Sequence, residues 1–252
     1  MNKNNTKLMR SIEEKSMIKI IAGIDNFDIE NVKKVICAAD MAGATAIDIA
    51  ADKNIITLAK ELTDIAIFVS SINPQELEMA VNMGVDAIEI GNYDALYKKG
   101  LRITAEDVLD ITQKTRNLVG DDVFLSVTVP GHIDISEQIQ LAQKLESMGV
   151  NMIQSEGASV ANVQNTGARG LLEKANVSIS NTIELTRNID IPVMTASGIT
   201  STTAPMAFAA GASGIGVGSC VNKLSSTIEM AATARTIVEA CQKASAKTKA
   251  LV

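Results

Sequence analysis

One junction occurs four times in this chain of 252 residues: Met41-Ala-Gly-Ala-Thr-Ala-Ile, Asn82-Met-Gly-Val-Asp-Ala-Ile, Ser147-Met-Gly-Val-Asn-Met-Ile and Ala209-Ala-Gly-Ala-Ser-Gly-Ile. Each time a helical pattern runs into a glycine and then into an apolar stretch. Glycine takes the left-handed conformation that ends a helix without the steric cost a side chain would carry. A chain that keeps returning from helix to strand in this way builds β/α units, and four such junctions mark four pairs of them.

Apolar runs rich in Ile and Val predict the strands, at residues 18–24, 45–50, 66–71, 85–90, 123–129, 150–155, 192–196 and 213–217. Helical patterns lie between and after them, at 28–41, 53–62, 74–83, 104–118, 136–148, 171–187, a segment after Thr203, and 225–242. Strands joined through helices run parallel, and eight such units in a chain of this length close into a (β/α)8 TIM barrel. A single barrel domain is expected at 17–243, with a polar N-terminal extension at 1–16 and a polar tail at 244–252.

Within that frame the stretch 191–222 says most about function. Its two apolar runs end in small-residue turns, Ala196-Ser197-Gly198 and Gly216-Val217-Gly218-Ser219. The intervening helix is entered through Ser201, Thr202 and Thr203 as candidate caps, carries Pro205 in its first turn and stops at Gly211. Parallel strands place both turns on one rim. Ser197, Gly198, Gly216, Gly218 and Ser219 then offer N–H groups and hydroxyls to a phosphate, with a short helix starting at Ser219 aimed at the same point. Phosphate sites of such barrels are commonly built after strands 7 and 8. The plainer reading is that these glycines only allow helix and strand to pack closely.

Strand alternation assigns the interior. Lys19, Ile21 and Asp25 from strand one, Ala46, Asp48 and Ala50 from strand two, and Glu89 from strand four face the axis, as do Ser126, Thr128, Gln154 and Glu156. Lys19, Asp48 and Glu89 would be costly inside unless they pair, so Lys19 is expected to bridge the carboxylates. Either the three are a structural ion cluster, or one carboxylate, raised in pKa by the other, is the acid or base, with Glu156 and Asp25 higher at the mouth. The expected catalytic set is Lys19, Asp48, Glu89 and Glu156. His132 is the only histidine, which excludes a multi-histidine metal site. The loop 156–170, with Arg169, is a candidate lid over an anionic ligand.

Composition narrows the partners. A net charge of −6 with no basic patch, and aromatic residues at 2% with no Trp, argue against nucleic acid. No apolar run is long enough to span a bilayer, and the first 17 residues lack the core of a signal peptide. Three cysteines without paired spacing fit a reducing compartment.

The segments Ala22-Gly-Ile-Asp-Asn-Phe, Ile47-Asp-Ile-Ala-Ala-Asp, Val69-Ser-Ser, Ile88-Glu-Ile-Gly-Asn-Tyr-Asp, Leu125-Ser-Val-Thr-Val-Pro, Ile153-Gln-Ser-Glu-Gly and Pro192-Val-Met-Thr-Ala-Ser-Gly resemble the hypothetical chloroplast open reading frame 23 family of algal plastids and cyanobacteria. The resemblance runs from about Lys19 to Asn222. It implies an aldolase-type barrel in a plastid stroma or cyanobacterial cytoplasm, and no particular reaction. The leading expectation is a lyase or isomerase moving a proton on a small phosphorylated molecule. An FMN flavoprotein using the same phosphate grip is the second, and a non-catalytic metabolite sensor the third. A homo-oligomer is left open.

Overall fold

The computed structural model describes residues 3–157, 165 and 167–249. Eight parallel strands pair in sequence order and the eighth closes on the first, so the expected (β/α)8 barrel is the fold. The strands are β1 (Met17–Ile21), β2 (Ala46–Ala50), β3 (Ala66–Ser70), β4 (Ala87–Ile90), β5 (Leu125–Val129), β6 (Met152–Ser155), β7 (Val193–Thr195) and β8 (Gly214–Val217). The helices are α1 (Lys3–Glu13), α2 (Ile29–Ala42), α3 (Lys53–Leu62), α4 (Pro74–Asn82), α5 (Asp94–Lys98), α6 (Ala105–Val119), α7 (Ile135–Ser147), α8 (Gly167–Asn188), α9 (Ala204–Ala209), α10 (Ser219–Asn222) and α11 (Thr227–Lys249).

Local chemistry explains where these elements begin and end. The junction residues Gly43, Gly84, Gly149 and Gly211 have φ of 75°, 75°, 74° and 104°. Asp28, Asp52 and Asn73 cap α2, α3 and α4 through their side chains, and Thr104 with Asp107 forms a capping box on α6. The expected threonine cap on α9 does not form. Thr203 Oγ1 instead accepts from the Thr200 N–H at 2.9 Å and donates to the Gly198 carbonyl at 3.2 Å, so it braces the turn after β7.

Three further details differ from the sequence reading. The stretch 91–103, expected as a loop, contains the short helix α5. The last helix, α11, continues through Lys249, so no structural break marks residue 244. The extension 1–16 holds α1, whose Leu8 and Ile12 lie one turn apart and are buried.

Alternation along the strands separates two cores. Outward residues such as Ile20, Ile47, Ile49, Ile88 and Ile153 pack beneath the helices. Inward residues Met17, Ala46, Phe68, Ala87, Phe124 and Met152 fill the bottom of the barrel, where Leu8 and Ile12 close it from below. Phe68 and Phe124 meet edge to face, with ring centres 5.9 Å apart. This apolar plug leaves the upper half of the interior to polar side chains.

Candidate functional site

Directly above the plug the interior is ionic. Lys19 Nζ lies 2.6 Å from Glu89 Oε2, 3.7 Å from Asp48 Oδ2 and 5.0 Å from the centre of the Phe68 ring. Strand register brings these groups together, setting Ile21 beside Asp48 and Ser70 beside Glu89. Exposure is 0% for Lys19, 1% for Asp48 and 0% for Glu89, so each charge depends on its partners for solvation. Asp48 Oδ1 accepts from Ser70 Oγ at 2.6 Å, and Oδ2 accepts from Asn92 Nδ2. Burial pushes the Asp48 carboxyl up to about 6; Lys19 opposes that rise and the Glu89 charge adds to it.

A layer of amides covers the ions. Gln154 Nε2 donates to Asn92 Oδ1 at 3.1 Å and to Thr128 Oγ1 at 3.0 Å, while Asn92 Nδ2 also donates to Ser70 Oγ at 2.9 Å. Asn92 holds this position with φ of 64°, which Asn adopts more readily than most residues. Gly91 is required beside it, because a Cβ there would fall 1.8 Å from Thr128 Oγ1. Both N–H bonds of the Gln154 amide are used, which turns its Oε1 toward Gly216; that oxygen has no partner among the described residues.

Above the amides opens a cleft of about 600 Å³ at the C-terminal rim of the barrel. All five residues expected to bind phosphate, Ser197, Gly198, Gly216, Gly218 and Ser219, line it, and so do Glu156 and Asp25. Lys19, Asp48 and Glu89 do not. They lie beneath the amide layer, and Asp48 is bonded to Asn92, which does line the cleft.

The turn after β7 is held from behind. Its three carbonyls, at Ser197, Gly198 and Ile199, accept from Ser178 Oγ at 2.9 Å, Thr203 Oγ1 at 3.2 Å and Cys220 Sγ at 3.3 Å. Ser197 and Gly198 both have positive φ, 72° and 74°. A Cβ on Gly198 would lie 2.6 Å from the Lys174 carbonyl, so glycine lets α8 approach. Lys174 and Lys223 thereby reach the same cleft, and neither was identified from sequence. Asn222 Nδ2 donates to the Ile21 and Ala22 carbonyls at 2.9 and 3.2 Å, tying α10 to the end of β1.

Barrel order puts these two turns between β6 and β1. Glu156 therefore stands on one side of them and Asp25 on the other, with Asn92 across the mouth. Glu156 is 2% exposed. Its backbone is gripped by Asn181 Nδ2, which donates to its carbonyl at 3.2 Å, and by Gly131, where a Cβ would come within 2.4 Å of that oxygen. Tyr97 Oη donates to Glu156 Oε2 at 3.0 Å. Asp25 is partly exposed and pairs with Lys99 at 2.9 Å.

Arg169 pairs with Glu173 at 3.2 Å on the surface and does not line the cleft. Of the candidate lid at 156–170, residues 158–164 and 166 lie outside the described residues. His132 is exposed and its ring packs edge-on against Tyr97, 5.1 Å between centres. Among the described residues no three His, Cys, Asp or Glu side chains gather in a metal-binding group.

A family model described as "Protein of unknown function (DUF561)" matches residues 2–247. The chain is 38% identical over 232 residues to "Uncharacterized protein ycf23" of Cyanophora paradoxa, covering 90% of this chain and 93% of that one. It is 36% identical over 226 residues to the protein of the same name from Pyropia yezoensis, covering 90% and 82%. Among solved structures it is similar to (S)-3-O-geranylgeranylglyceryl phosphate synthase from Thermoplasma acidophilum, in complex with its substrate sn-glycerol-1-phosphate. That likeness has a TM-score of 0.62 and 16% identity over 96% of this chain and 100% of the other, and it is a likeness of fold.

Proposed function

The chain belongs to the DUF561 family that includes the ycf23 proteins, and from its cleft we propose that it is an enzyme moving a proton on a small phosphorylated substrate, as a lyase or isomerase does. The observation that carries this reading is the polarity of the cleft. Two turns, with Ser197, Gly198, Gly218 and Ser219, share the cleft with Lys174 and Lys223, and carboxylates stand on either side. A phosphate is drawn to the cations and repelled by Glu156 and Asp25, so the substrate can enter in one orientation only. Its remaining atoms then lie over Gly216 and the amides of Gln154 and Asn92, beside Glu156, the buried carboxylate that lines the cleft. Glu156 is the acid–base group in this proposal, Asn92 and Gln154 hold substrate oxygens, and Lys19, Asp48 and Glu89 position Asn92 from beneath.

The fold neighbour solved with sn-glycerol-1-phosphate is in keeping with a phosphorylated ligand. The proposed place of action is a plastid stroma or a cyanobacterial cytoplasm, in keeping with the ycf23 relatives. Among the described residues no helix is long and apolar enough to cross a membrane.

Calorimetric titration with inorganic phosphate and with glycerol phosphates tests the grip. Lys174→Ala and Lys223→Ala are each expected to weaken binding about tenfold, the scale of one charge-assisted contact. Proton transfer is tested without knowing the product, by incubating phosphorylated aldehydes and ketones with the protein in D2O and following exchange by NMR. Glu156→Gln should abolish exchange and keep phosphate affinity. A wild-type protein that binds no phosphorylated compound would end this reading. The phosphate of FMN would fit the same turns, and a visible absorption spectrum of the purified protein distinguishes a flavoprotein.

A further inference from the structure

The side of Glu156 away from the phosphate turns leads out of the barrel. Tyr97, on α5, donates from its hydroxyl to Glu156 Oε2 at 3.0 Å and lies 3.3 Å from Nδ1 of His132. Tyr97 is buried, whereas His132, in the turn between β5 and α7, is exposed. Three residues distant in sequence thus form an unbroken chain from the cleft wall to solvent. We propose that Glu156, Tyr97 and His132 are a proton conduit that exchanges the proton of Glu156 with water while a ligand fills the cleft. The proposal rests on the reading of Glu156 as the acid–base group, and it gives α5 and the single histidine a role that reading leaves unassigned.

The need for a conduit follows from burial. Glu156 is nearly inaccessible already, and a substrate seated on the phosphate turns covers its remaining cleft face. An acid–base group that turns over must nevertheless regain its starting protonation state. Hydrogen-bond directions define the path. With Glu156 ionised, Tyr97 donates to it, so the Tyr97 oxygen accepts from His132 and the neutral imidazole carries its proton on Nδ1. Water delivers a proton to Nε2; Nδ1–H passes to the Tyr97 oxygen as Tyr97 passes its own proton to Glu156 Oε2. The result is a protonated Glu156 and a neutral imidazole with its proton on Nε2. Each bond broken is matched by one formed, and the reverse sequence returns the proton to water.

The surroundings suit a neutral shuttle. Burial and the nearby Arg102 hold the His132 pKa below its ordinary value, against the opposing pull of Glu137. The Arg102 guanidinium also lies over the Tyr97 ring, 5.1 Å from its centre. On the Glu156 side stands Tyr93, whose hydroxyl is kept protonated by burial and by the charges of Glu156, Glu89 and Asp107. At neutral pH His132 can therefore accept a proton at Nε2 and pass one on, without holding a permanent charge.

Because the protein has one histidine, 15N-histidine labelling reads the conduit directly by NMR. In the free wild-type protein above the His132 midpoint, the proton is expected on Nδ1. Tyr97→Phe, which keeps the ring and removes the relay oxygen, should move it to Nε2, the usual preference of a solvated imidazole. Glu156→Gln should lower the His132 midpoint by about half a unit, as loss of one charge across a single hydroxyl would. An Nε2–H imidazole in the wild type that Tyr97→Phe leaves unchanged would overturn the conduit. Inorganic phosphate, titrated in a separate experiment, reports on the cleft alone. Failure of phosphate to bind would sink the substrate reading and leave the tautomer result standing.

Discussion

Asp48 occupies a place where ionisation is costly, and its pH dependence follows from that. An unfolded Asp ionises near 3.9, whereas burial brings this carboxyl to about 6 in the folded protein. The folded state therefore holds the proton more tightly. The resulting stabilisation is complete below about pH 4 and is lost as pH rises through 6, a change of about 3 kcal/mol at most. Urea unfolding of the wild type between pH 4 and 7 should show that decline, and Asp48→Asn should flatten it. An Asp48→Asn protein with the wild-type slope would show that the carboxyl is not raised. Strand alternation alone placed Asp48, Glu89 and Lys19 together, because side-chain direction has period two. It also turned Gln154 inward but gave no sign of the second amide above them, since Asn92 reaches over from beyond the end of β4, with a positive φ that the pattern does not encode.

Elements were legible where their signals are local. Each junction glycine both ends a helix and precedes a strand, so the barrel could be counted before it was seen. The end of β8 and the turns after β7 and β8 are equally local, which is why all five residues named there line the cleft. Lys174 comes from two turns into α8, and the contact of Tyr97 with His132 spans 35 residues; such meetings depend on the closed barrel. The hardest element to read was α1. Leu8, Met9 and Ile12 stand among Asn, Lys, Arg and Glu, and three apolar positions in a polar stretch do not declare a core. The structure makes them the lower seal of the interior. Leu8→Ala is accordingly expected to destabilise the protein by about 2–5 kcal/mol, as truncation of a fully buried leucine does. Chemical denaturation measures this; a loss within about 0.5 kcal/mol would mean that α1 merely rests on the barrel.

Taken from bottom to top, the molecule passes from an apolar plug through a sealed ionic layer and an amide layer to an open polar cleft. The plug and the cleft lie at opposite ends of the barrel, so substitutions at the two ends should act separately. Leu8→Ala should lower stability and leave phosphate affinity alone, Lys223→Ala should do the reverse, and the double variant should show the sum of both effects. Asn92 is the exception, because it is bonded on both sides: its amide donates to Asp48 and Ser70 below and accepts from Gln154 in the cleft floor. Asn92→Ala leaves a buried carboxylate short of a donor and a buried amide short of an acceptor, and is expected to cost about 2–4 kcal/mol of stability. The same change frees Gln154 to rotate, so catalysed exchange in D2O should fall while phosphate affinity, set at the opposite rim, stays near wild type. Separate measurement of stability, affinity and exchange on these variants tests the division. If Asn92→Ala lowers only stability, the amide layer is a lid on the core and takes no part in holding the substrate.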